Sequence, residues 1–590
     1  MVAHWSDYGS PEYLKFIEEA RPEIAQVGFY GAHFWSLAHT EAYGGYPANF
    51  PLRGLRELGD WFEDLNRKLH ERGVKVVGHF NVEFLVGDPD GPQGPRGFFE
   101  FYRDLWDEKT LGPKPAADPV QLLEKNPDGT PISNQTYGIG GMKEYWACLR
   151  NPAWQAVLRA WVREAIRRGV DGLVINYFYR HNCLCEHCQA AFRRYLRERF
   201  SKEDLRAKFA IEDVEAHRFT EIVSWHPAAE TTPLRLEMLR FSQLSNKEVF
   251  DEVFLRHGRS VKPDLIVAQW NHLGNLSQID GDERCLLPAE AWGRDESYLW
   301  YSTGGAANYT DLKNRFLGEG TLQARYIRGA FADKPFTLGK YESTRIRAAI
   351  AELAANGGAP MGFYTNFRDP LARAEIVRYY RFLETHAAIY RGNRPAGEVA
   401  LLFPRRRIHR GDVASVEEFR KAGLKLLDSR VLFDVYPDDA FPDEVAKRYR
   451  VVVRCDGAAA AAAGDLPPDH SRFECPFTVR VSASRPAGQE TEKEAKEIDI
   501  HFVNYNRVEP PPGPDGKPSA GGGIQDEKPL AVSGVAADVL LPAGAALRSV
   551  QLITPEDPAP RMLDARLQDG RVRFVLPEIL VYGVAQILLD

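Results

Sequence analysis

The 590-residue sequence predicts an α/β fold: a (β/α)8 TIM barrel followed by a small α/β flavodoxin-like domain and a C-terminal β-sandwich. Apolar runs of strand length alternate with helical patterns about eight times before residue 390, as in a parallel barrel. A shorter α/β pattern comes next. From residue 475 onward only short strands and turn signals remain, and that pattern is typical of a sandwich.

The predicted barrel comprises residues 1–392. Its strands are predicted at 2–6, 27–35, 74–84, 171–179, 265–272, within 286–302, at 336–343 and at 359–367. Helices are predicted at 54–73 and 151–169, each ending at a glycine. Two long inserts, 85–150 and 181–264, then become loops after strands, on the face that carries the chemistry of such barrels.

The rest of the chain divides into two smaller predicted domains. Residues 393–465 predict the α/β domain, with strands at 398–404 and 449–454 and a helix at 415–430. A run of alanines followed by Asp-Leu-Pro-Pro marks a linker. Residues 466–590 predict the sandwich from six short β-rich runs, and the segment 509–524, rich in proline and glycine, is predicted to be a loop within it.

Composition excludes several classes of protein. Lys and Arg total 75 and Asp and Glu total 82, so the net charge of −7 offers no basic surface for nucleic acid or an anionic membrane. No apolar run approaches the roughly 20 residues that span a bilayer. The first residues lack the basic and apolar regions of a signal peptide, which predicts a cytoplasmic protein, or a secreted one if the true start lies upstream.

Three of the seven cysteines lie within Cys183-Leu184-Cys185-Glu186-His187-Cys188. An odd number of cysteines in so large a chain argues against a disulfide framework. The C-x-C-x-x-C spacing before an amphipathic helix predicts a structural zinc site. Cys148 is the best candidate for the fourth ligand, and His187 is the next. The alternative is three cysteines packed as small apolar side chains at a helix start.

Polar and aromatic side chains follow the predicted barrel strands at their carboxyl ends. Aromatic rings stack on the apolar face of a sugar while amides and carboxylates pair with its hydroxyls, so this set indicates a carbohydrate site. The predicted substrate-binding residues are Asn176, Tyr177, Tyr179, His181, Trp270, Asn271, His272, Trp300, Tyr341 and Tyr364. The alternative for each ring is a cap that only covers the barrel core.

Two carboxyl groups on either side of a glycosidic bond would make this site a glycosidase. Glu342 directly follows an apolar strand and is predicted to be one of the two catalytic carboxyl groups. The alternative is a buried ion pair between Glu342 and either Arg345 or Arg347.

The second carboxyl group, which would act as acid and base, has three candidates: Glu83, Glu290 and Glu296. We favour Glu296, because the aromatic strand after it could exclude water from its carboxyl group. The alternative is that Asp295 and Glu296 form a solvated pair beside Arg294.

The stretch 74–200 resembles glycoside hydrolase family 42, the zinc-carrying β-galactosidases. The matching pieces are GVKVVGHF, CLRNPAW and CLCEHCQAAFRRYLRERF. The resemblance implies one structural Zn²⁺ bound by Cys148, Cys183, Cys185 and Cys188. It also implies a retaining hydrolase with Glu342 as nucleophile, and a barrel followed by a trimerisation domain and a small β domain.

One position departs from that family. There the acid/base glutamate follows an asparagine at the end of strand four, whereas here Asn176 is followed by Tyr177. Tyrosine, with a reference pKa of about 10, protonates a glycosidic oxygen less readily than a carboxylic acid does. Two other functions therefore stay open. One is a polysaccharide lyase that uses Tyr177 or Tyr179 with His181 or His272, and the other is a carbohydrate-binding barrel without catalysis.

The likeness of the middle segment to a trimerisation domain predicts a homo-oligomer, most simply a trimer. Light scattering at micromolar concentration should then give about three times the 66.5 kDa mass of one chain. A mass equal to that of one chain would contradict the prediction.

Overall fold

The computed structural model describes the chain apart from residues 4–6, 32–56, 93, 137–140, 177–182, 222–231, 273–292, 303–309, 340–344, 361–362, 366, 411, 413, 456–468, 490–494, 510, 512–513 and 515–526. Within the described part, every helix is too short or too polar to cross a bilayer.

Eight parallel strands form the first sheet. They are β1 (Val2–Ala3), β2 (Ile24–Gly31), β3 (Lys75–Asn81), β4 (Gly172–Asn176), β5 (Ile266–His272), β6 (Leu299–Ser302), β7 (Phe336–Gly339) and β8 (Phe363–Thr365). Their order in the sheet is β7-β6-β5-β4-β3-β2-β1-β8. A parallel bridge between Thr337 in β7 and Ala359, shortly before β8, joins the two edges, so the sheet curls into a barrel.

Helices connect these strands along the chain. Four of them start with a capping side chain followed directly by proline, at Ser10, Asn151, Thr232 and Asp369. The barrel helices are Pro11–Ala20, Glu57–His70, Pro152–Arg167, Pro233–Phe250, Glu319–Ala330, Ile346–Ala355 and Pro370–Thr385. The predicted barrel is confirmed.

The insert after β3 is mostly a small antiparallel sheet, and the insert after β4 is helical. The sheet order is Gly94–Gly97, Phe84–Gly91, Lys143–Trp146 and Ser133–Asn134. Short helical segments accompany it at Phe98–Glu100, Phe101–Leu105, Glu108–Leu111 and Pro119–Leu122. The helices after β4 are Glu186–Arg199 and Lys202–Phe209, and Pro233–Phe250 continues through Asp251–Gly258 to Arg259–Val261.

A three-stranded parallel sheet forms the middle of the chain. Its strands are β9 (Val399–Phe403), β10 (Phe433–Pro437) and β11 (Val451–Val453), with β9 in the centre. The helices beside it are Arg405–Ile408, Ser415–Asp428 and Asp443–Ala446. The sheet packs on the barrel helix Glu319–Ala330, which is buried on nearly all sides. Gly329 is required there, because a Cβ would collide with the carbonyl oxygen of Val435.

Two antiparallel sheets with a common apolar core form the C-terminal sandwich. The six-stranded sheet has the order Arg394–Pro395, Val479–Arg485, Glu497–Asn504, Tyr582–Leu589, Leu547–Ile553 and Arg561–Met562. The four-stranded sheet has the order Arg472–Glu474, Ala536–Leu540, Arg571–Val575 and Arg566–Gln568. Its larger sheet also packs against the barrel helices Ile346–Ala355 and Pro370–Thr385, and the short helix Ala387–Tyr390 follows the second of these.

One buried guanidinium group connects all three parts of the chain. Arg325, in the barrel helix Glu319–Ala330, donates from Nε to the side chain of Asn356 at 2.9 Å. Its Nη1 donates to the carbonyl oxygen of Phe433 in β10 at 2.9 Å, and its Nη2 to that of Val481 in the sandwich at 3.0 Å. Burial lowers the pKa of Arg325 to about 10, so the group stays charged at neutral pH.

Replacing this arginine should destabilise the whole chain. In Arg325→Met the acceptors of Phe433 and Val481 lose their donor, and each buried unsatisfied group costs about 1–3 kcal/mol. We expect a melting temperature several degrees lower by scanning calorimetry, with Arg103→Met on the surface as control. Equal melting temperatures for Arg325→Met and the parent chain would contradict this role.

Candidate functional site at the carboxyl ends of the barrel strands

The turn that leaves β3 is fixed by its last residue. Asn81 Oδ1 accepts hydrogen bonds from the backbone N–H groups of Glu83 at 3.2 Å and Phe84 at 3.0 Å. Its Nδ2 donates to the carbonyl oxygen of Phe84 at 2.7 Å. In the register of β3 and β4, Asn81 lies beside Asn176, and the N–H of Val82 donates to the Asn176 carbonyl. The backbone of Glu83 is therefore held next to the end of β4.

A stack of rings crosses the inside of the barrel below this turn. The imidazole of His79 stacks on Trp270 at 4.9 Å, and Trp270 packs on Trp300 with ring centroids 3.7 Å apart. Burial lowers the pKa of His79 to about 3, so the ring is neutral at physiological pH. Its Nε2 therefore accepts a hydrogen bond from the Asn176 amide at 3.0 Å. This bond fixes the orientation of an amide at the end of β4.

Three of the predicted substrate-binding residues, Asn271, Trp270 and Trp300, have their contacts inside the barrel. Asn271 is fully buried, and its Nδ2 donates to the carbonyl oxygen of Gln269 at 2.6 Å and to that of Trp300 at 3.4 Å. Trp300 is 1% exposed and Trp270 is 7% exposed. In this conformation these residues form the floor beneath the carboxyl ends of β5 and β6.

The two described carboxylate candidates lie at different ends of the barrel. Glu83 follows the carboxyl end of β3 and is fully buried. Glu296 comes before the amino end of β6, where its Oε2 accepts a hydrogen bond from the N–H of Gln269 at 2.9 Å. Glu296 is 3% exposed, so it does not form the solvated pair with Asp295 that was the alternative. Its carboxylate acts as a substitute for a missing strand partner of β5.

The other predicted residues lie wholly or partly outside the described part of the chain. Glu290, Glu342, Tyr177, Tyr179, His181 and Tyr341 belong to segments that are not described. His272 ends β5 and Tyr364 lies in β8, with their backbones described and their side chains not. Arg347, one of the ion-pair candidates for Glu342, binds Glu527 at 2.7 Å and Glu375 at 3.7 Å.

Four cysteine sulfurs cluster beside β4, as the sequence predicts. The sulfurs of Cys148, Cys183, Cys185 and Cys188 all lie within 4.8 Å of one another, and three of the four residues are buried. The Sγ of Cys148 lies 3.6 Å from that of Cys185 and 3.4 Å from that of Cys188. Tetrahedral thiolate ligands 2.3 Å from a metal ion lie about 3.8 Å apart, so these residues fit such an ion.

The backbone around the cluster favours thiolates. The N–H groups of Lys125 and Cys185 each donate to the Sγ of Cys183 at 3.4 Å. Hydrogen bonds from neighbouring thiols lower the pKa of Cys185, and the pKa of Cys148 is raised by sharing those bonds. Without a cation, four sulfurs this close cannot all be ionised, whereas a metal ion would stabilise every thiolate.

His79 was not among the site residues predicted from the sequence, although it lies within the run GVKVVGHF. Its signal is a single polar ring inside an otherwise apolar strand. Such a residue needs a partner when it is buried, and here the partner is Asn176.

The buried imidazole predicts a specific pH dependence of stability. The folded pKa of about 3 lies below the ordinary value of 6.5, so only the unfolded chain gains a proton as the pH falls below 6.5. Between pH 7 and pH 5 this group should cost about 2 kcal/mol of stability. Over the same pH range, the free energy of unfolding of His79→Gln should therefore fall by about 2 kcal/mol less than that of the parent chain. Denaturant titrations measure this, with His217→Gln as control. An identical pH dependence of the parent and His79→Gln would contradict the prediction.

The sequence matches no protein-family model and no curated protein sequence. Solved structures match over the full length at low identity. A β-galactosidase from Bacillus circulans sp. alkalophilus has a TM-score of 0.57 at 10% identity, with 97% of this chain and 96% of that one covered. Gan42B, a GH42 β-galactosidase, has a TM-score of 0.57 at 11% identity, with 100% of this chain and 98% of that one covered.

A third match extends the likeness beyond β-galactosidases. The α-L-fucosidase isoenzyme 2 from Paenibacillus thiaminolyticus has a TM-score of 0.56 at 12% identity, with 100% of this chain and 98% of that one covered. At such identities the likeness shows the fold, which this chain has in common with several glycoside hydrolases.

Proposed function

We propose that this chain is a glycoside hydrolase that acts on an oligo- or polysaccharide and retains the anomeric configuration. The observation that carries the proposal is the arrangement at the carboxyl ends of β3 to β6. There a buried carboxyl group, an oriented amide and two stacked indoles lie on one face of a barrel. The full-length likeness to β-galactosidases and a fucosidase supports the same reaction class.

Glu342 is the proposed nucleophile because it comes three residues after β7 ends in the sequence, and the active sites of such barrels lie at the carboxyl ends of the strands. Its carboxylate would attack the anomeric carbon and form a covalent glycosyl-enzyme while a second carboxyl group protonates the leaving oxygen. Water then releases the sugar, with that second group as base. Retention requires the two carboxyl groups to be about 5.5 Å apart.

Glu83 is the proposed acid and base. The turn at Asn81 fixes its backbone at the carboxyl end of β3, whereas Glu296 lies before the amino end of β6 and hydrogen-bonds the backbone of β5. Active sites of these barrels lie at the carboxyl ends of the strands, which favours Glu83 of the two. In this proposal Glu83 supplies the acid/base carboxyl group that the tyrosine after Asn176 does not provide.

The roles of Glu342 and Glu83 predict different losses of activity. Glu342→Gln removes the attacking charge but keeps the shape, so turnover should fall by several orders of magnitude while sugar binding survives. Glu83→Gln should slow natural oligosaccharides by about 10²–10⁴-fold and activated aryl glycosides far less, because a good leaving group needs little protonation. Initial rates on both substrate types measure this, with the exposed Glu203→Gln as control.

Each assignment has its own contrary result. Near-native turnover in Glu342→Gln on every substrate excludes that residue as nucleophile. A leaving-group dependence in Glu296→Gln, with none in Glu83→Gln, would transfer the acid/base role to Glu296. Saccharide binding without any cleavage by the parent chain would favour the carbohydrate-binding barrel.

We propose that the cysteine cluster binds a structural Zn²⁺. Four thiolates at these separations suit its tetrahedral geometry and leave no open position for substrate. Cys148 lies before the helix that leads into β4, and the other three cysteines follow β4. The ion would therefore hold the two ends of one helix–strand unit together beside the site.

Elemental analysis should find about one zinc per chain in protein that is purified with reductant and without added metal. Cys183→Ser/Cys188→Ser should abolish the zinc and lower the melting temperature, because the remaining thiols cannot complete the tetrahedron. Cys475→Ser, outside the cluster, should change neither quantity. Full zinc content in the double variant, or none in the parent, would refute the site.

A further inference from the structure

A cavity of about 450 Å³ opens at the carboxyl edge of the three-stranded sheet, far along the chain from the proposed catalytic residues. Residues that directly follow all three strands line it: Pro404 after β9, Asp438 after β10, and Arg454 and Cys455 after β11. Pockets for small molecules usually have volumes of about 300–1,000 Å³. The cavity is therefore large enough for a metabolite.

The topology of the sheet places the cavity where parallel sheets bind ligands. β9 is central, and it pairs in parallel with β10 on one side and with β11 on the other. The chain passes from β9 to β10 and then returns across the sheet to β11. At the carboxyl edge the connection that leaves β9 therefore runs towards β10, whereas the connection that leaves β10 runs back towards β11, and such a reversal of direction opens a crevice.

Cationic side chains dominate the cavity wall. Arg407 is already neutralised, because it pairs with Asp412 and with Glu418, each at 2.7 Å. Among the described residues of the wall, the remaining charged groups are three guanidinium groups and the carboxylate of Asp438. These three arginines, on two different segments, are Arg406, Arg410 and Arg454.

Within the described part of the chain, two of these arginines have no counter-ion. The side chains of Arg410 and Arg454 are exposed and form neither an ion pair nor a hydrogen bond with any residue that the structure describes. Arg406 donates from Nε to the carbonyl oxygen of Asp438 at 3.1 Å, which directs it along the rim of the cavity. Mutual repulsion of three like charges is unfavourable unless an anion lies between them.

We propose that this cavity binds a phosphate group, either free or carried by a small molecule. Guanidinium groups match the oxygens of a tetrahedral dianion with paired hydrogen bonds, and several arginines from separate segments can reach different oxygens of one phosphate. The proposal does not depend on the glycosidase function, since it concerns a second site on another sheet.

The test titrates the full-length chain with inorganic phosphate and with glucose 6-phosphate by calorimetry, at constant ionic strength maintained with chloride. The parent chain should bind at least one of the two saturably. Arg410→Gln/Arg454→Gln should weaken that binding at least tenfold while the melting temperature without ligand stays unchanged. Arg103→Gln/Arg566→Gln removes the same charge elsewhere and should bind like the parent.

The two titrants also distinguish the source of the phosphate. Tighter binding of the sugar phosphate supports a phosphorylated metabolite as occupant, whereas equal binding supports free phosphate. Equal affinity in the parent and Arg410→Gln/Arg454→Gln would overturn the proposal. Lack of saturable binding of either titrant to the parent would overturn it as well.

Discussion

Buried arginine side chains determine how the middle and C-terminal parts are placed against the barrel. Arg325 donates to Asn356, Phe433 and Val481 from a helix that is itself enclosed. Arg480, in the sandwich, donates to the carbonyl oxygens of Leu427 in the middle part and Leu317 in the barrel. Burying a guanidinium group is unfavourable unless its donors find acceptors, so these bonds favour one relative placement of the three parts.

Buried polar groups with hydrogen-bond partners also determine the arrangement at the proposed catalytic face. A neutral imidazole, a carboxamide and two indoles are locked together inside the barrel, so the polar groups at its rim are oriented before substrate arrives. Such preorganisation lowers the reorganisation that a transition state demands. The buried residues therefore make this face of the barrel rigid.

Strand periodicity and short-range motifs made much of this architecture predictable. The strand predicted at 74–84 is observed at Lys75–Asn81, and the distant Cys148 joins the knuckle as its spacing and resemblance suggested. Glu296 was harder to place. The sequence predicted a strand within 286–302 without fixing its first residue. The strand begins at Leu299, so Glu296 lies before its amino end.

Other features depend on contacts between distant parts of the chain and have no local pattern. Arg325 resembles any other helical arginine in the sequence, because its acceptors lie 108 and 156 residues away. The strand Arg394–Pro395 is too short to produce a periodic signal, and only its pairing with Val479–Arg485 defines it. His79 could have been identified as polar, but its partner could not.

That short strand makes the middle sheet an insertion within the sandwich. Arg394 and Pro395 pair with Arg485 and Ser484, so the six-stranded sheet already has one strand before β9 begins. Glu398 accepts a hydrogen bond at 2.9 Å from the N–H of Ser471, which brings the first and last residues of the insertion together. A segment whose ends meet can be inserted into a domain without changing the path of the host chain. A fragment meant to contain a complete sandwich must therefore start before residue 394, not after the insertion.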